Sequence, residues 1–244
     1  MRIAVLSDVH ANWDALFAAD REIRRRGADR IFHLGDLAGY GAEPEACVRW
    51  AMENAAGGVY GNNDSVACGR ASGRDFNEAA RKAALWSRAH LSSESKEYLA
   101  RLPSRFEVVG DAMLVHGALD DPCRYIRYAD EAANEMKSPF CADGIPVFYG
   151  HTHLPCGFVR REDGSVHSIP VEKFRIGKKE RALLNPGSVG QPRDRNPDTS
   201  FLMFDTELRE VEWVRAPYDV ESAIKKILAA GLPEVFANRL RKGI

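Results

Sequence analysis

Five short fragments of the sequence bring carboxylate, amide and imidazole side chains together at close spacing. They are Asp8-Val9-His10, Gly35-Asp36, Gly61-Asn62-Asn63-Asp64, Val115-His116 and His151-Thr152-His153. Oxygen and imidazole ligands suit borderline divalent cations such as Mn²⁺, Fe²⁺, Zn²⁺ and Co²⁺ better than they suit a calcium cage. Each fragment alone has an ordinary alternative, because an asparagine after a glycine is often a turn residue. The presence of five such fragments in one chain favours a metal site over these ordinary alternatives.

Each fragment follows a short apolar run that predicts a buried strand. These strands are predicted at Ile3–Leu6, Arg30–Leu34, Gly58–Tyr60, Ala112–Val115 and Pro146–Tyr149. Ligand sites of parallel sheets lie just beyond the carboxyl ends of the strands. The five fragments are therefore predicted to meet at one edge of the fold.

Helical periodicity alternates with the first three strands, which predicts a parallel sheet with helices on its faces. Helices are predicted over residues 12–26, 43–54, 76–90, 93–101, 220–230 and 234–241. The third and fourth of these helices form a predicted insertion over the sheet, at about residues 66–103. The chain between residues 106 and 215 is rich in predicted strands, and no repeat or linker interrupts it. We therefore expect one α/β domain over residues 1–244.

The composition excludes several classes of protein. Thirty-four basic and 35 acidic residues give a formal charge of −1, so general nucleic-acid binding is not expected. The five cysteines are odd in number and form no C-x-x-C pair, which favours free thiols in a reducing compartment. No apolar run reaches the roughly 18 residues of a membrane span, and no secretory signal is visible. We expect a cytoplasmic protein without a membrane partner.

The order and spacing of the five fragments resemble the motifs of the calcineurin-like metallophosphoesterase superfamily, over essentially the whole chain. Residues 8–12, which lead into a helix, and the stretch 185–194 (NPGSVGQPRD) are most similar to its compact bacterial and archaeal branch. That branch contains YfcE-type phosphodiesterases and diadenosine-tetraphosphatase-like proteins. The resemblance implies an α/β fold in which a two-sheet β-sandwich is flanked by helices in αββα layers, with a small helical insertion. It places a dimetal site at the sheet edges.

The resemblance also implies a ligand set for two divalent ions. One ion would be held by Asp8, His10, Asp36 and His153, and the other by Asp36, Asn62, His116 and His151. Asp36 would bridge them together with a water or hydroxide, since cations about 3.5–4 Å apart need a shared anion. Mn²⁺ is the expected metal, with Fe, Zn, Co and Ni as alternatives.

The implied activity is hydrolysis of phosphodiester or phosphoanhydride bonds by in-line attack of the metal-bridging hydroxide. Asp36, Asn62 and His116 would be the catalytic residues. The expected partner is a small phosphorylated substrate such as a nucleotide, and nothing in the sequence predicts the oligomeric state. The alternatives are a serine/threonine-type protein phosphatase and a non-catalytic metal-binding scaffold of the same fold. The short chain opposes the first alternative, and the complete ligand set opposes the second.

The third motif departs from the pattern of many superfamily members, which carry a histidine where this chain has Asn63. An asparagine amide can donate a hydrogen bond to substrate but cannot supply a proton. We therefore expect substrates with good leaving groups, with Asn63 among the substrate contacts. Asp64 is expected to hold His10 or a loop amide, or to form a plain turn.

Two further residues are candidate substrate contacts. The guanidinium of Arg193 suits a pair of phosphate oxygens, and its alternative is an ion pair with Asp194 or Asp198. Asn12 could contact phosphate from the first loop or cap the following helix. The capping role is favoured for Asn12.

Overall fold

The first strand, β1 (Arg2–Leu6), shows why the chain folds in layers. Ile3 and Val5 are buried on one side of the strand, and Ala4 and Leu6 are buried on the other. A strand with two buried faces must lie in a sheet that is covered on both sides. In the computed structural model, which describes residues 1–244, one side is covered by a second sheet and the other by helices.

The first sheet contains six strands. They are β1, β2 (Arg30–His33), β3 (Gly57–Gly58), β9 (Lys173–Arg175), β11 (Thr199–Asp205) and β12 (Glu210–Ala216). Their order in space is β3-β2-β1-β11-β12-β9. The strands β1, β2 and β3 are parallel, whereas β11, β12 and β9 add antiparallel pairings. The parallel half carries three of the predicted site loops.

The second sheet also contains six strands. They are β4 (Arg105–Val108), β5 (Ala112–Val115), β6 (Val147–Phe148), β7 (Pro155–Arg160), β8 (Val166–Ile169) and β10 (Arg181–Pro186). Their order is β4-β5-β6-β10-β7-β8, with β5, β6 and β10 parallel. Residues such as Leu114, Phe148 and Leu184 face Ile3 and Val5 in the core between the sheets.

Eight helices surround the sheets. They are α1 (Trp13–Arg25), α2 (Pro44–Asn54), α3 (Asn62–Ala67), α4 (Glu78–His90), α5 (Ser93–Arg101), α6 (Ala129–Glu135), α7 (Val220–Ala229) and α8 (Glu234–Lys242). The helices α1 and α2 cover the first sheet, and α6 covers the second. The helices α7 and α8 form a hairpin that packs on α1 and shares a core with α4. None of the helices has the length and apolar composition needed to cross a bilayer.

The structure confirms the predicted two-sheet fold flanked by helices, but three elements were not predicted: α3, α6 and β9. The strand predicted at residues 58–60 is shorter, at Gly57–Gly58, and Asn62 begins a helix instead of lying in a loop. The Asp64 carboxylate accepts a hydrogen bond from the Gly61 amide at 3.0 Å and closes the first turn of that helix. Such a capping bond satisfies an amide that the helix itself leaves free.

Candidate metal centre

All seven predicted metal ligands lie one to five residues beyond the carboxyl end of a strand. Those from the first sheet follow β1, β2 and β3, and those from the second follow β5 and β6. In chain order they are Asp8, His10, Asp36, Asn62, His116, His151 and His153. Because the two sheets pack face to face, the strand ends of both sheets open on the same edge.

A first cluster joins Asp8, His10 and His153, all of them buried. The Nε2 atoms of the two histidines are 3.0 Å apart, and Nε2 of His153 lies 3.3 Å from Oδ1 of Asp8. These atoms can converge on one small cation.

A second cluster joins Asp36, His116 and His151. Nε2 of His116 lies 3.1 Å from Nδ1 of His151, 3.2 Å from Oδ1 of Asn62 and 3.5 Å from Oδ2 of Asp36. Asn62 is thus brought within ligand distance of the same point.

Asp36 connects the two clusters through a single oxygen. Its Oδ2 lies 3.6 Å from Nε2 of His10 in the first cluster and 3.5 Å from Nε2 of His116 in the second. Asn63 fixes this carboxylate, because its backbone amide donates to Oδ1 at 2.8 Å and its side-chain amide donates to Oδ2 at 2.7 Å. In this position Asp36 would be able to share its carboxylate between two cations.

In each of the four histidines, the ring nitrogen that does not face the cluster is hydrogen-bonded to a backbone carbonyl. The acceptors for His10, His116, His151 and His153 are the carbonyls of Ala38, Leu34, Cys123 and Gln191. A carbonyl can only accept, so it holds the proton on that nitrogen and leaves the lone pair of the other nitrogen facing the cluster. This is the tautomer that a metal ligand needs.

Burial keeps three of these imidazoles neutral. It lowers the pKa of His10 and His153 well below the usual range and that of His151 to about 3. Burial also acts to lower the pKa of His116, but the charges of Asp36 and Asp8 outweigh burial and raise that pKa.

The buried carboxylates fit a cation as partner. Oδ2 of Asp8 accepts hydrogen bonds from the Ser7 hydroxyl at 2.6 Å and the His151 amide at 3.0 Å, whereas Oδ1 is buried without a hydrogen-bond partner. Burial raises the pKa of Asp8 and raises that of Asp36 to about 6. A divalent cation would stabilise the charged forms of both residues. The chemistry of the donor set agrees with the pair of divalent ions expected from the sequence.

The backbone around the ligands is held in an unusual conformation. Five of the seven ligands have a left-handed φ, between +49° and +67°; they are Asp8, His10, Asp36, His151 and His153. Such a conformation costs a non-glycine residue about 1 kcal/mol or more and is concentrated at functional sites. The strained conformations thus fall on residues of the two clusters themselves.

Two glycines leave room for the carboxylates. A Cβ on Gly61 would lie 2.0 Å from Oδ1 of Asp36, and a Cβ on Gly150 would lie 1.9 Å from the Ser7 hydroxyl that holds Asp8. Both glycines therefore have a packing reason beyond ending a strand.

The structure places Asn12 and Asp64 in supporting positions. Asn12 caps α1 by accepting from the Ala15 amide at 3.2 Å, while its own amide donates to the Gly190 carbonyl and the Tyr218 hydroxyl. That leaves no donor of Asn12 for a phosphate in this conformation. Asp64 accepts from loop amides, at Ala38 and at Gly61, and forms no hydrogen bond with His10.

Arg193 lies beside the first cluster, with its amide donating to the His153 carbonyl at 3.2 Å. The alternative ion pair with Asp194 or Asp198 does not form: the carboxylate of Asp194 is paired with Arg215 instead, and that of Asp198 has no ion pair with Arg193. The guanidinium forms no ion pair, and its Nε is buried without a hydrogen-bond partner. It thus carries a charge that an anion could match.

Two tyrosines lie at the site, and the sequence analysis missed Tyr40. Tyr40 stacks on His10 with ring centroids 4.0 Å apart, and Tyr125 stacks on His151 at 4.3 Å. Burial raises the pKa of Tyr40, although the neighbouring Arg193 opposes this effect. The only sequence signal for Tyr40 is its place between Gly39 and Gly41, just after Asp36.

Comparison with known proteins agrees with this geometry. Residues 1–209 match the family model of the calcineurin-like phosphoesterase superfamily domain. The chain is 35% identical over 248 residues to an uncharacterized protein of Methanocaldococcus jannaschii, covering 99% of this chain and 98% of that protein. It is 36% identical to a metallophosphoesterase of known structure from Sphaerobacter thermophilus, with a TM-score of 0.85 and coverage of 100% and 99% of the two chains.

A hypothetical protein from Pyrococcus horikoshii shares the fold at 17% identity and a TM-score of 0.78, covering 100% of this chain and 98% of that one. With the metallophosphoesterase fold and two candidate metal clusters in place, the chain belongs to the calcineurin-like phosphoesterase superfamily. The family predicted from the five fragments is confirmed.

Proposed function

We propose that this chain is a phosphoesterase that uses two divalent cations, Mn²⁺ before Fe, Zn, Co or Ni, to hydrolyse phosphodiester or phosphoanhydride bonds of a small phosphorylated substrate. The observation that carries the proposal is the position of Asp36 Oδ2, within 3.6 Å of a histidine nitrogen from each cluster. The cations, when bound, supply positive charge opposite the phosphoryl oxygens and acidify the attacking water.

The residues of the chain perform the remaining tasks. Asp36, Asn62 and His116 hold the centre of the site, with Asn63 fixing the orientation of Asp36. The unpaired guanidinium of Arg193 offers charge-assisted hydrogen bonds to a non-reacting phosphate oxygen. Asn63 cannot protonate a leaving group, so the proposal favours substrates whose leaving group departs as a stable anion.

A substrate panel tests the proposal. The protein is reloaded with Mn²⁺, its metal content is measured, and bis-aryl diesters, aryl monoesters, dinucleoside polyphosphates, cyclic nucleotides and phosphopeptides are compared. We expect two ions per chain and fastest turnover of activated diesters or phosphoanhydrides. Preference for phosphopeptides would favour a protein phosphatase, and two bound ions without any turnover would favour a non-catalytic scaffold.

The substitution Asp36→Asn tests the shared carboxylate. It removes the charge between the clusters while keeping the shape, so turnover should fall by about three orders of magnitude or more and metal affinity should weaken. The matched control is Asp163→Asn, in the exposed turn between β7 and β8, which should leave both quantities unchanged. Full activity of Asp36→Asn would overturn the assignment.

A further inference from the structure

The ring of Tyr40 is clamped between two other rings at the edge of the first cluster. It stacks on His10 at 4.0 Å with an interplanar angle of 17°, and on Phe236 of α8 at 4.5 Å with an angle of 18°. Its backbone has a left-handed φ of +60°. Stacking on both faces leaves the ring little freedom, so the hydroxyl has a fixed position.

The Tyr40 ring also lies 6.3 Å from the ring of His153, whose carbonyl accepts a hydrogen bond from the Arg193 amide, so both residues border the first cluster. A guanidinium has only donors, so Arg193 cannot accept the O–H proton of Tyr40. The O–H proton of Tyr40 then remains available for a different acceptor. Nε of Arg193 is also buried without a partner.

These unused donors point to an anion with several oxygen acceptors. No carboxylate of the chain fills that role, since Asp194 is taken by Arg215. Asn63, which stands where many relatives have a histidine, donates its side-chain amide to Oδ2 of Asp36 and its backbone amide to Oδ1. A phosphoryl oxygen beside the first cluster would therefore meet Tyr40 and Arg193 rather than residue 63.

The C-terminal helical hairpin holds both of these residues. Phe236 backs the ring of Tyr40, and the Gly243 carbonyl accepts a hydrogen bond at 2.7 Å from the amide of Arg195, two residues after Arg193. Gly243 lies so close to Asn196 that a Cβ would be 2.7 Å from the Asn196 backbone nitrogen. The hairpin lies beyond residue 209, where the match to the family domain ends.

We propose that Tyr40 and Arg193 form an anion clamp for a phosphoryl oxygen of the substrate and of the phosphate product, and that the α7–α8 hairpin positions this clamp. The inference rests on the proposed function, because it assigns these residues to the same reaction. Tyr40 acts as a neutral hydrogen-bond donor, and Phe236 and Gly243 act as positioning residues.

The substitution Tyr40→Phe tests the donor. It keeps the ring stack and removes only the hydroxyl, so inorganic phosphate should inhibit the Mn²⁺-loaded enzyme at least about tenfold more weakly, with a matching rise in KM for bis(p-nitrophenyl) phosphate. Metal content and thermal stability should not change. The control is Tyr128→Phe, at a tyrosine with 64% of its surface exposed, which should behave as wild type.

A short truncation tests the positioning role. Removing Gly243 and Ile244 deletes the carbonyl that anchors Arg195, whereas removing Ile244 alone retains it. We expect the first truncation to raise KM and the phosphate inhibition constant several-fold with little change in kcat. The second should match the full chain. If the two truncated proteins have the same KM and the same phosphate inhibition constant, the hairpin does not position the clamp.

The outcomes separate this inference from the proposed function. If the wild-type enzyme turns over and Tyr40→Phe leaves the phosphate inhibition constant within twofold, the clamp is wrong and the function stands. If Tyr40→Phe loses metal, Tyr40 acts through His10 and the clamp is also wrong. If the loaded wild-type protein hydrolyses no substrate, titration calorimetry compares the affinity of the wild type and of Tyr40→Phe for inorganic phosphate. Affinities within twofold of each other would then overturn the clamp.

Discussion

At the scale of single residues, Asp36 depends on Asn63 for its orientation. Both oxygens of Asp36 accept from Asn63, one from the backbone amide and one from the side chain. A residue that fixes a ligand in this way limits the positions available to it before the cation arrives. Asn63 thus serves the metal centre directly, and its predicted contact with substrate stays a prediction.

The substitution Asn63→Ala should therefore weaken metal binding. It keeps the backbone bond to Oδ1 and removes the bond to Oδ2, so we expect Mn²⁺ affinity to fall about tenfold. Titration calorimetry of the metal-free protein measures the change. Asn134→Ala, at an exposed asparagine near the end of α6, is the control. Equal affinities for the two variants would show that Asn63 does not orient the carboxylate.

The candidate metal ligands were the easiest residues to predict. Aspartate and histidine at strand ends are visible in the sequence, and the structure brings all seven predicted ligands together. Tyr40 was missed because a tyrosine between two glycines has the pattern of a turn. Its position depends on Phe236, from the opposite end of the chain, and no local pattern contains that contact.

At the scale of elements, β2 and α5 are joined through a buried histidine. Nε2 of His33 is 2.9 Å from the Tyr98 hydroxyl, and Nδ1 is buried without a partner. Burial lowers the pKa of His33 from 6.5 to about 4. The sequence correctly predicted His33 inside a strand, whereas α3 was missed because its capping bond forms between residues that resemble a loop.

His33 should make the fold sensitive to acid. Between pH 6.5 and pH 4 the unfolded chain binds a proton on this residue and the folded chain does not, so stability is lost as the pH falls through that range. The loss attributable to His33 is about 3 kcal/mol. Urea unfolding of the EDTA-treated wild type and His33→Phe, at pH 7 and pH 4.5, measures it. Parallel pH dependence of the two proteins would contradict the assignment.

At the scale of the whole molecule, the two clusters join the two sheets. In the first cluster, Asp8 and His10 follow a strand of the first sheet and His153 follows a strand of the second. In the second cluster, Asp36 follows a strand of the first sheet and His116 follows a strand of the second. A cation in either cluster would cross-link the layers. Strand and helix periodicity predicted a parallel sheet covered by helices, and the family resemblance supplied the two-sheet layering. The place of β9 at the edge of the first sheet was not predicted, because three residues carry too little pattern.

Metal binding should therefore stabilise the entire fold. At a free Mn²⁺ concentration about a thousandfold above the dissociation constant, each ion adds about 4 kcal/mol. For a chain of this size, two ions should raise the Tm by about 15 °C or more. Thermal unfolding with Mn²⁺ and with EDTA measures the difference. His153→Ala should lose roughly half of the shift, and an unchanged Tm in the wild type would argue against cation binding.

The most direct test of the shared site is the electron paramagnetic resonance spectrum of the protein loaded with two equivalents of Mn²⁺. Two ions that share Asp36 Oδ2 are close enough to couple, which predicts the signal of an exchange-coupled manganese pair in the wild type. Asp36→Asn should reduce or abolish that signal. A wild-type spectrum with only the six-line pattern of isolated Mn²⁺ would contradict a dimetal centre built on Asp36.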